Sequence, residues 1–335
     1  MARILAVLLL LAALAGGGWI WEQTDFAAPG PAARNGAHQT IIDIPQRQGL
    51  WKIANKLQRA GVVRSATRFA IGVRLKSAGG LLKAGEYAIP SGSSMQNIAG
   101  LLVSGRVIQH KITAAEGLTS QMIVGIVNAD RELTGPPEEA PPEGTLLPET
   151  YQFIKGAQRS TILARMHAAQ VRFLQQAWQA RDPSVPFHAP QEALTLASIV
   201  EKETAIAQER RHVAAVFINR IRLGMKLESD PTVIYGLSRG YPLGHGIRAS
   251  ELASVTPYNT YMISGLPPTP ICNPGKDSIS AVLNPAHSPD LYFVADGTGG
   301  HVFASTRAEQ DRNVARWRQI ENTAIHLKPI DPPLR

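Results

Sequence analysis

Only one cysteine, Cys272, occurs in 335 residues, which excludes an intramolecular disulfide and any cysteine-built metal site. The nine histidines show no HExxH or comparable ligand spacing, so neither a metal nor another cofactor is expected. Aromatic residues make up 6% of the chain and charged residues 18%. No Lys/Arg-rich run interleaved with aromatics occurs, and nucleic acid is set aside as a partner despite the basic balance. Nor is there a short repeat: the 24 prolines and 29 glycines are dispersed, which excludes collagen-like or low-complexity sequence.

What is present is a hydrophobic fraction of 44%, enough for real cores, in a chain longer than one typical domain needs. We expect an anchor and two folded modules. Lys plus Arg is 34 against 26 Asp plus Glu, a surplus of +8 that suits a polyanion such as anionic lipid or a carboxylate-bearing cell-wall polymer. Arg210, Arg211, Arg220 and Arg222 sit singly on a helical pattern and read as solvated faces.

Residues 4–21 are uncharged and rich in Leu and Ala; as a helix of roughly 18 residues they reach ~27 Å, close to the hydrocarbon thickness of a bilayer. Arg3 precedes the run and Glu22 and Asp25 follow it, which places a short N-terminus in the cytoplasm and the rest across the membrane. Trp19 and Trp21 favour retention at the interface, while the small residues Ala12, Ala13, Ala15 and 16–18 keep a cleaved signal peptide open. We therefore expect a cytoplasmic tip and anchor over residues 1–24 and a Pro/Gly/Ala-rich tether over 25–38.

The next stretch, 39–107, reads as a small α+β unit. It has an extended segment at 41–44, a helix at 50–59 ended by Gly61, a helix at 67–76 capped by Ser65, a strand within 82–89, and a helix capped by Ser93 or Ser94. Without clustered titratable residues, it suits binding or packing better than catalysis. A larger mixed α+β domain is expected over 108–330, with a strand at 107–114, a helix at 120–128 and then a Pro/Gly-rich surface loop at 134–148.

Residues 191–225 read as mostly helical, and an almost unbroken apolar run through Val200 ends abruptly at Glu201-Lys202-Glu203-Thr204. A carboxyl against apolar walls loses hydration of its charged form, so its pKa rises and it can hold a proton near neutrality, as a general acid must. The two glutamates lie ~200° apart around a helix and cannot both face one cleft. One of them reads as structural. Glu201 shares its stripe with small residues, Ala197 and Ser198 among them, and is favoured modestly as the acid, while Glu203 shares Ile199, Val200 and Ile206 and its role stays open. Asp230, Thr232 and Tyr235, with Tyr258-Asn259-Thr260-Tyr261, supply the hydroxyls, amides and rings that suit a carbohydrate.

The blocks 196–204, 216–220, 230–236, 258–261, 265–268, 273–275, 284–286, 291–296 and 299–301, in this order, closely resemble the endolytic murein transglycosylases of the YceG-like family, and the resemblance covers nearly the whole chain. It implies a single-pass inner-membrane protein with a LysM-like module and a periplasmic catalytic domain, acting on peptidoglycan glycan strands near the cell-wall synthases of elongation or division. The implied reaction is non-hydrolytic cleavage between N-acetylmuramic acid and N-acetylglucosamine, leaving 1,6-anhydro ends, with the first glutamate of the Glu-Lys-Glu block, Glu201, as acid. Ser198, Asp230, Thr232, Tyr235, Tyr258, Asn259, Thr260, Tyr261 and Asn284 are the substrate-binding candidates. Thr145 and Leu147 stand where relatives often carry aromatic rings, Thr269 and Cys272 replace small residues, and Gln310 stands where histidine is frequent. The rival readings are a hydrolase pairing Glu201 with Asp230 or Asp296 and a non-catalytic wall-binding scaffold.

Overall fold

The computed structural model describes residues 25–327, with side chains through residue 322. The expected anchor at 4–21 lies outside the described residues; among those described, no helix is long and apolar enough to cross a membrane. The architecture is mixed α and β but mostly helical, the strands pairing into small two-stranded sheets. Among the described residues two compact units are formed, 25–111 with 152–157, and 112–151 with 158–327.

In the first unit β1 (Gln39–Ile44) pairs antiparallel with β2 (Gly85–Pro90), Ile42 opposite Tyr87. Alternation along both strands turns Ile42, Ile44, Tyr87 and Ile89 inward. There they meet α1 (Leu50–Arg59), α2 (Ala66–Leu75) and α3 (Met95–Ser104) through Leu57, Phe69 and Leu102. Ser65 and Ser94 each accept from the backbone N–H three residues on, capping α2 and α3, and Gly105 ends α3 at φ 71°, a left-handed turn that glycine adopts without cost. The stretch expected as a tether is pinned to this unit. Phe26 is fully buried in its core, and Gly30 and Gly92 exchange backbone bonds with their neighbours, Gly30 N–H to Gly92 O and Gly92 N–H to Pro31 O, both at 3.0 Å.

The chain crosses between units within the short strands β3 (His110–Thr113) and β4 (Thr150–Phe153). The second unit adds α4 (Ser120–Ala129), α5 (Arg159–Gln179), α6 (Pro190–Glu203), α7 (Arg210–Arg222), α8 (Asp230–Ser238), the short α9 (Ala249–Leu252), α10 (Lys276–Leu283), the hairpin β5 (Tyr292–Ala295) and β6 (His301–Ala304), and α11 (Arg307–Leu327). At its centre is α6, buried on nearly every side from Ala193 to Val200 and enclosed by α7 and α10.

Two expectations are corrected. The loop at 134–148 is irregular, but it is not surface throughout: Leu146 and Leu147 are buried, and Leu146 N–H is held by Asn273 Oδ1 at 3.0 Å. The helical stretch at 191–225 is two helices, broken at Thr204 (φ −137°, ψ 130°). The Thr204 hydroxyl accepts from Ile206 N–H at 3.0 Å, a local bond that competes with helix continuation.

Candidate active site

The break at Thr204 leaves Glu203 as the last residue of α6. A helix C-terminus carries partial negative charge and disfavours a carboxylate there. Glu203 faces a cleft of about 700 Å³ lined also by Arg220, Asp230, Tyr261, Tyr292 and Gln310, with α11 along one wall. Burial pushes its pKa up to about 7, and the negative charge of Asp230 adds to this; the hydrogen bond from Ser229 and the nearby His301 and Arg220 pull the other way without cancelling it. Ser229 Oγ donates to Glu203 Oε1. Half the population of such a group is protonated near neutral pH, the condition a general acid needs.

Around this carboxyl the cleft is rigidly built. Arg220, on α7, is buried rather than a solvated helix-face residue. It donates from Nε to Leu291 O at 2.7 Å and from Nη1 to Leu227 O at 2.9 Å, pairs with Glu228 at 3.2 Å, and lies 5.2 Å from the Tyr292 ring centre. One guanidinium thereby ties the segment before α8 to the start of β5. Glu228 sits at φ 54°, a left-handed conformation that costs a non-glycine residue and turns the chain into α8.

Thr260 secures that turn. Its hydroxyl accepts from Ser229 N–H at 2.9 Å and meets Thr232 Oγ1 at 2.9 Å, both inside the core. Tyr261, next in sequence, donates its hydroxyl to Asp230 Oδ1 at 2.7 Å. Burial, and then this bond to an anion, raise the Tyr261 pKa.

Glu201 points to the other side of α6. Its Oε2 accepts from Gly275 N–H at 2.9 Å, at the start of α10, where a negative side chain is favoured. It stands beside Glu116, whose own pKa is raised by burial first and by Glu201 second. The apolar walls and the cleft expected around Glu201 belong to Glu203, two residues on.

The sequence model of the YceG-like family matches residues 42–316, most of the chain. The chain belongs to the YceG-like family. An endolytic murein transglycosylase of Streptococcus pneumoniae is 28% identical over 94% of this chain, which spans 65% of that relative's length. One from Bacillus subtilis is 27% identical over 87% of this chain and 88% of its own. A crystal structure of a yceG-like protein from Listeria monocytogenes superposes with a TM-score of 0.50 at 27% identity, covering 82% of this chain and 98% of that one.

In this YceG-like chain, Asp230 and Tyr261 alone among the nine binding candidates line the cleft with Glu203. Thr232 and Thr260 shape it from behind. Ser198 is buried, donating to Thr195 O at 2.7 Å and accepting from Ile271 N–H at 2.9 Å. Asn259 is buried too, its amide donating to Leu252 O and Ser254 O at 2.9 and 2.7 Å; both act as internal fasteners. Tyr235 and Tyr258 pack edge to face, 4.8 Å between centres, with the Tyr258 hydroxyl 2.8 Å from Thr269 Oγ1. Asn284 caps α10 and its carbonyl accepts from Arg211 Nε at 2.7 Å.

Asp296, considered as a partner acid, instead closes the β5–β6 turn, accepting from Thr298 N–H at 2.7 Å and Gly300 N–H at 3.1 Å. Those bonds, led by Thr298, lower its pKa. The single Cys272 is buried, and burial raises its thiol pKa well above the ordinary value. Arg220 and Tyr292 carried no local signal, since their roles arise only when α7 meets the β5 strand. For Glu203 a signal existed in its apolar neighbours Ile199 and Val200.

Proposed function

We propose that this chain is a lytic transglycosylase of peptidoglycan, cutting within glycan strands at the bond between N-acetylmuramic acid and N-acetylglucosamine, with Glu203 as its catalytic acid and base. The observation that carries the reading is a carboxyl with its pKa near 7 in an open cleft, in a chain similar to proteins named endolytic murein transglycosylases. Protonated Glu203 gives its proton to the glycosidic oxygen as that oxygen's bond to the muramic C1 breaks through an oxocarbenium-like state. The carboxylate so formed takes the proton of the muramic 6-hydroxyl, whose oxygen bonds to C1. The proton count is restored and a 1,6-anhydro end is left, with no water consumed.

Ser229 orients the carboxyl, Arg220 frames the cleft, and Asp230 keeps Glu203 protonated to higher pH. The same reading anchors the chain through residues 4–21 in the cytoplasmic membrane with the cleft on the outer side, near the enzymes that extend the strands. It rests on the charge asymmetry around that run.

Glycan strands digested by wild type, Glu203→Gln and Glu201→Gln test the assignment. Loss of roughly 10²–10⁴-fold in rate is expected for Glu203→Gln, with most activity kept by Glu201→Gln; the reverse would return the role to Glu201. Asp230 in the same cleft favours one second reading, a two-carboxylate hydrolase. Mass spectrometry separates them: anhydro ends support the transglycosylase, and ends heavier by one water support the hydrolase.

A further inference from the structure

Outside the cleft, the second unit contains another pocket, of about 310 Å³, between the 142–145 loop, α5, the start of α6 and the 268–270 segment. On α5 the buried positions Ile162, Leu163, Met166, Gln170 and Leu174 form one stripe, and every one except Gln170 is apolar. Gln170 is 2% exposed, and both its amide nitrogen and its amide oxygen lack a hydrogen-bond partner. Leaving a buried amide unpaired costs on the order of 1–3 kcal/mol, and leucine would fill the stripe without that cost. A functional partner outside the protein explains its presence.

The remaining wall presents apolar surface from Val171, Leu174, Leu194 and Pro270 beside the polar Glu143, His167 and Gln191, with Thr195 hydrogen-bonded to its own helix at 2.9 Å. Gly144 (φ +79°) keeps the loop close here, since a Cβ would come within 2.8 Å of Pro270. A primary amide with both atoms free offers one donor and one acceptor side by side. Elsewhere in this unit Asn128 shows what that pair recognises: it donates to Glu138 O and accepts from Glu138 N–H, both at 2.9 Å, holding both main-chain groups of one residue.

We propose that this pocket binds a short peptide, with the main-chain N–H and C=O of one residue paired to the Gln170 amide and a small apolar side chain against Leu174, Leu194 and Pro270. This rests in part on the function proposed above, in which the available peptide is the stem carried by the muramic acid; the amide pairing itself does not depend on it. The pocket would then let the enzyme distinguish strands that carry stems from strands stripped of them.

Muramyl dipeptide, N-acetylmuramic acid and N,N′-diacetylchitobiose titrated by calorimetry into the full chain provide the test. Muramyl dipeptide is expected to bind at least about tenfold more tightly than either peptide-free sugar, and Gln170→Leu to remove that difference while leaving cleavage of peptide-free strands unchanged. Val171→Arg, at a residue 49% exposed at the mouth, is expected to block the pocket and serves if Gln170→Leu fails to fold. Equal binding of all three probes, sugar binding lost with Gln170→Leu, or dipeptide binding indifferent to both substitutions overturns the proposal. Dipeptide binding through Gln170 in a protein that releases no anhydro ends would leave this site standing and remove the transglycosylase reading.

Discussion

At the scale of single residues, the decisive contrast is between Glu201 and Glu203, identical side chains two positions apart with different surroundings. The folded-state pKa of Glu203, about 7 against an ordinary 4.5, links protonation to stability. Because the folded value is the higher, the contribution is present in full below pH 4.5 and is lost as pH rises through 7. At about 1.4 kcal/mol per unit the full swing is roughly 3 kcal/mol. Glu203→Gln, which cannot ionise, is therefore expected to be more stable than wild type at pH 8 by up to that amount, with the gap closing toward pH 4; denaturant titrations at both values check it. The same ionisation predicts that kcat/KM for strand cleavage falls as pH rises through about 7. Asp230 raises the Glu203 pKa, so Asp230→Asn should move that alkaline limb to lower pH, and a limb that stays in place would separate Asp230 from the acid.

At the scale of elements, the termini of α6 matter more than its length. Glu192 Oε2 accepts from His188 N–H at 2.7 Å and so fixes the start of the helix, and Thr204 fixes its end. Between them the apolar face packs on α7 and α10, and fully buried Leu196 marks its centre. Leu196→Ala should cost about 2–5 kcal/mol in thermal or chemical unfolding, with the cleft residues untouched in sequence. On α7, Arg220 makes its contacts through a planar fork, which an ammonium group cannot reproduce. Arg220→Lys is expected to lower kcat while the far-ultraviolet circular dichroism stays native, because the segment leading into Glu228 and Ser229 loses its tie to Leu291.

At the scale of the whole molecule, two units with separate cores share one chain. Phe26, just beyond the expected anchor, is a core residue of the first unit and lies against Gly72, where a Cβ would come within 2.3 Å of its ring. Phe26→Ala should destabilise that unit by roughly 3–5 kcal/mol, seen as an earlier unfolding transition, without altering the pH dependence of cleavage. The surplus of +8 belongs to the first unit: residues 1–111 with 152–157 carry 14 Lys/Arg against 4 Asp/Glu, whereas the rest of the chain carries 20 against 22. The first unit is therefore the one that suits a polyanion.

Much of this could be read from the sequence by itself. The apolar alternation of β1 and β2, the serine caps of α2 and α3 and the apolar run of α6 are local patterns, and local patterns set local structure. The ordered blocks from 196 to 301 were enough to resemble the family that the chain proves to belong to. What only the tertiary structure decided is which carboxyl lies buried in the cleft, which hydroxyls and amides are fasteners, and that Arg220 is buried. Each depends on partners distant in sequence: Ser229 and Asp230 beside Glu203, Gly275 beside Glu201, Ile271 beside Ser198, Leu291 beside Arg220. The proton affinity of a carboxyl is set by the solvent it loses and the charges it meets, and neither is fixed until helices, loops and the β5–β6 hairpin close around it.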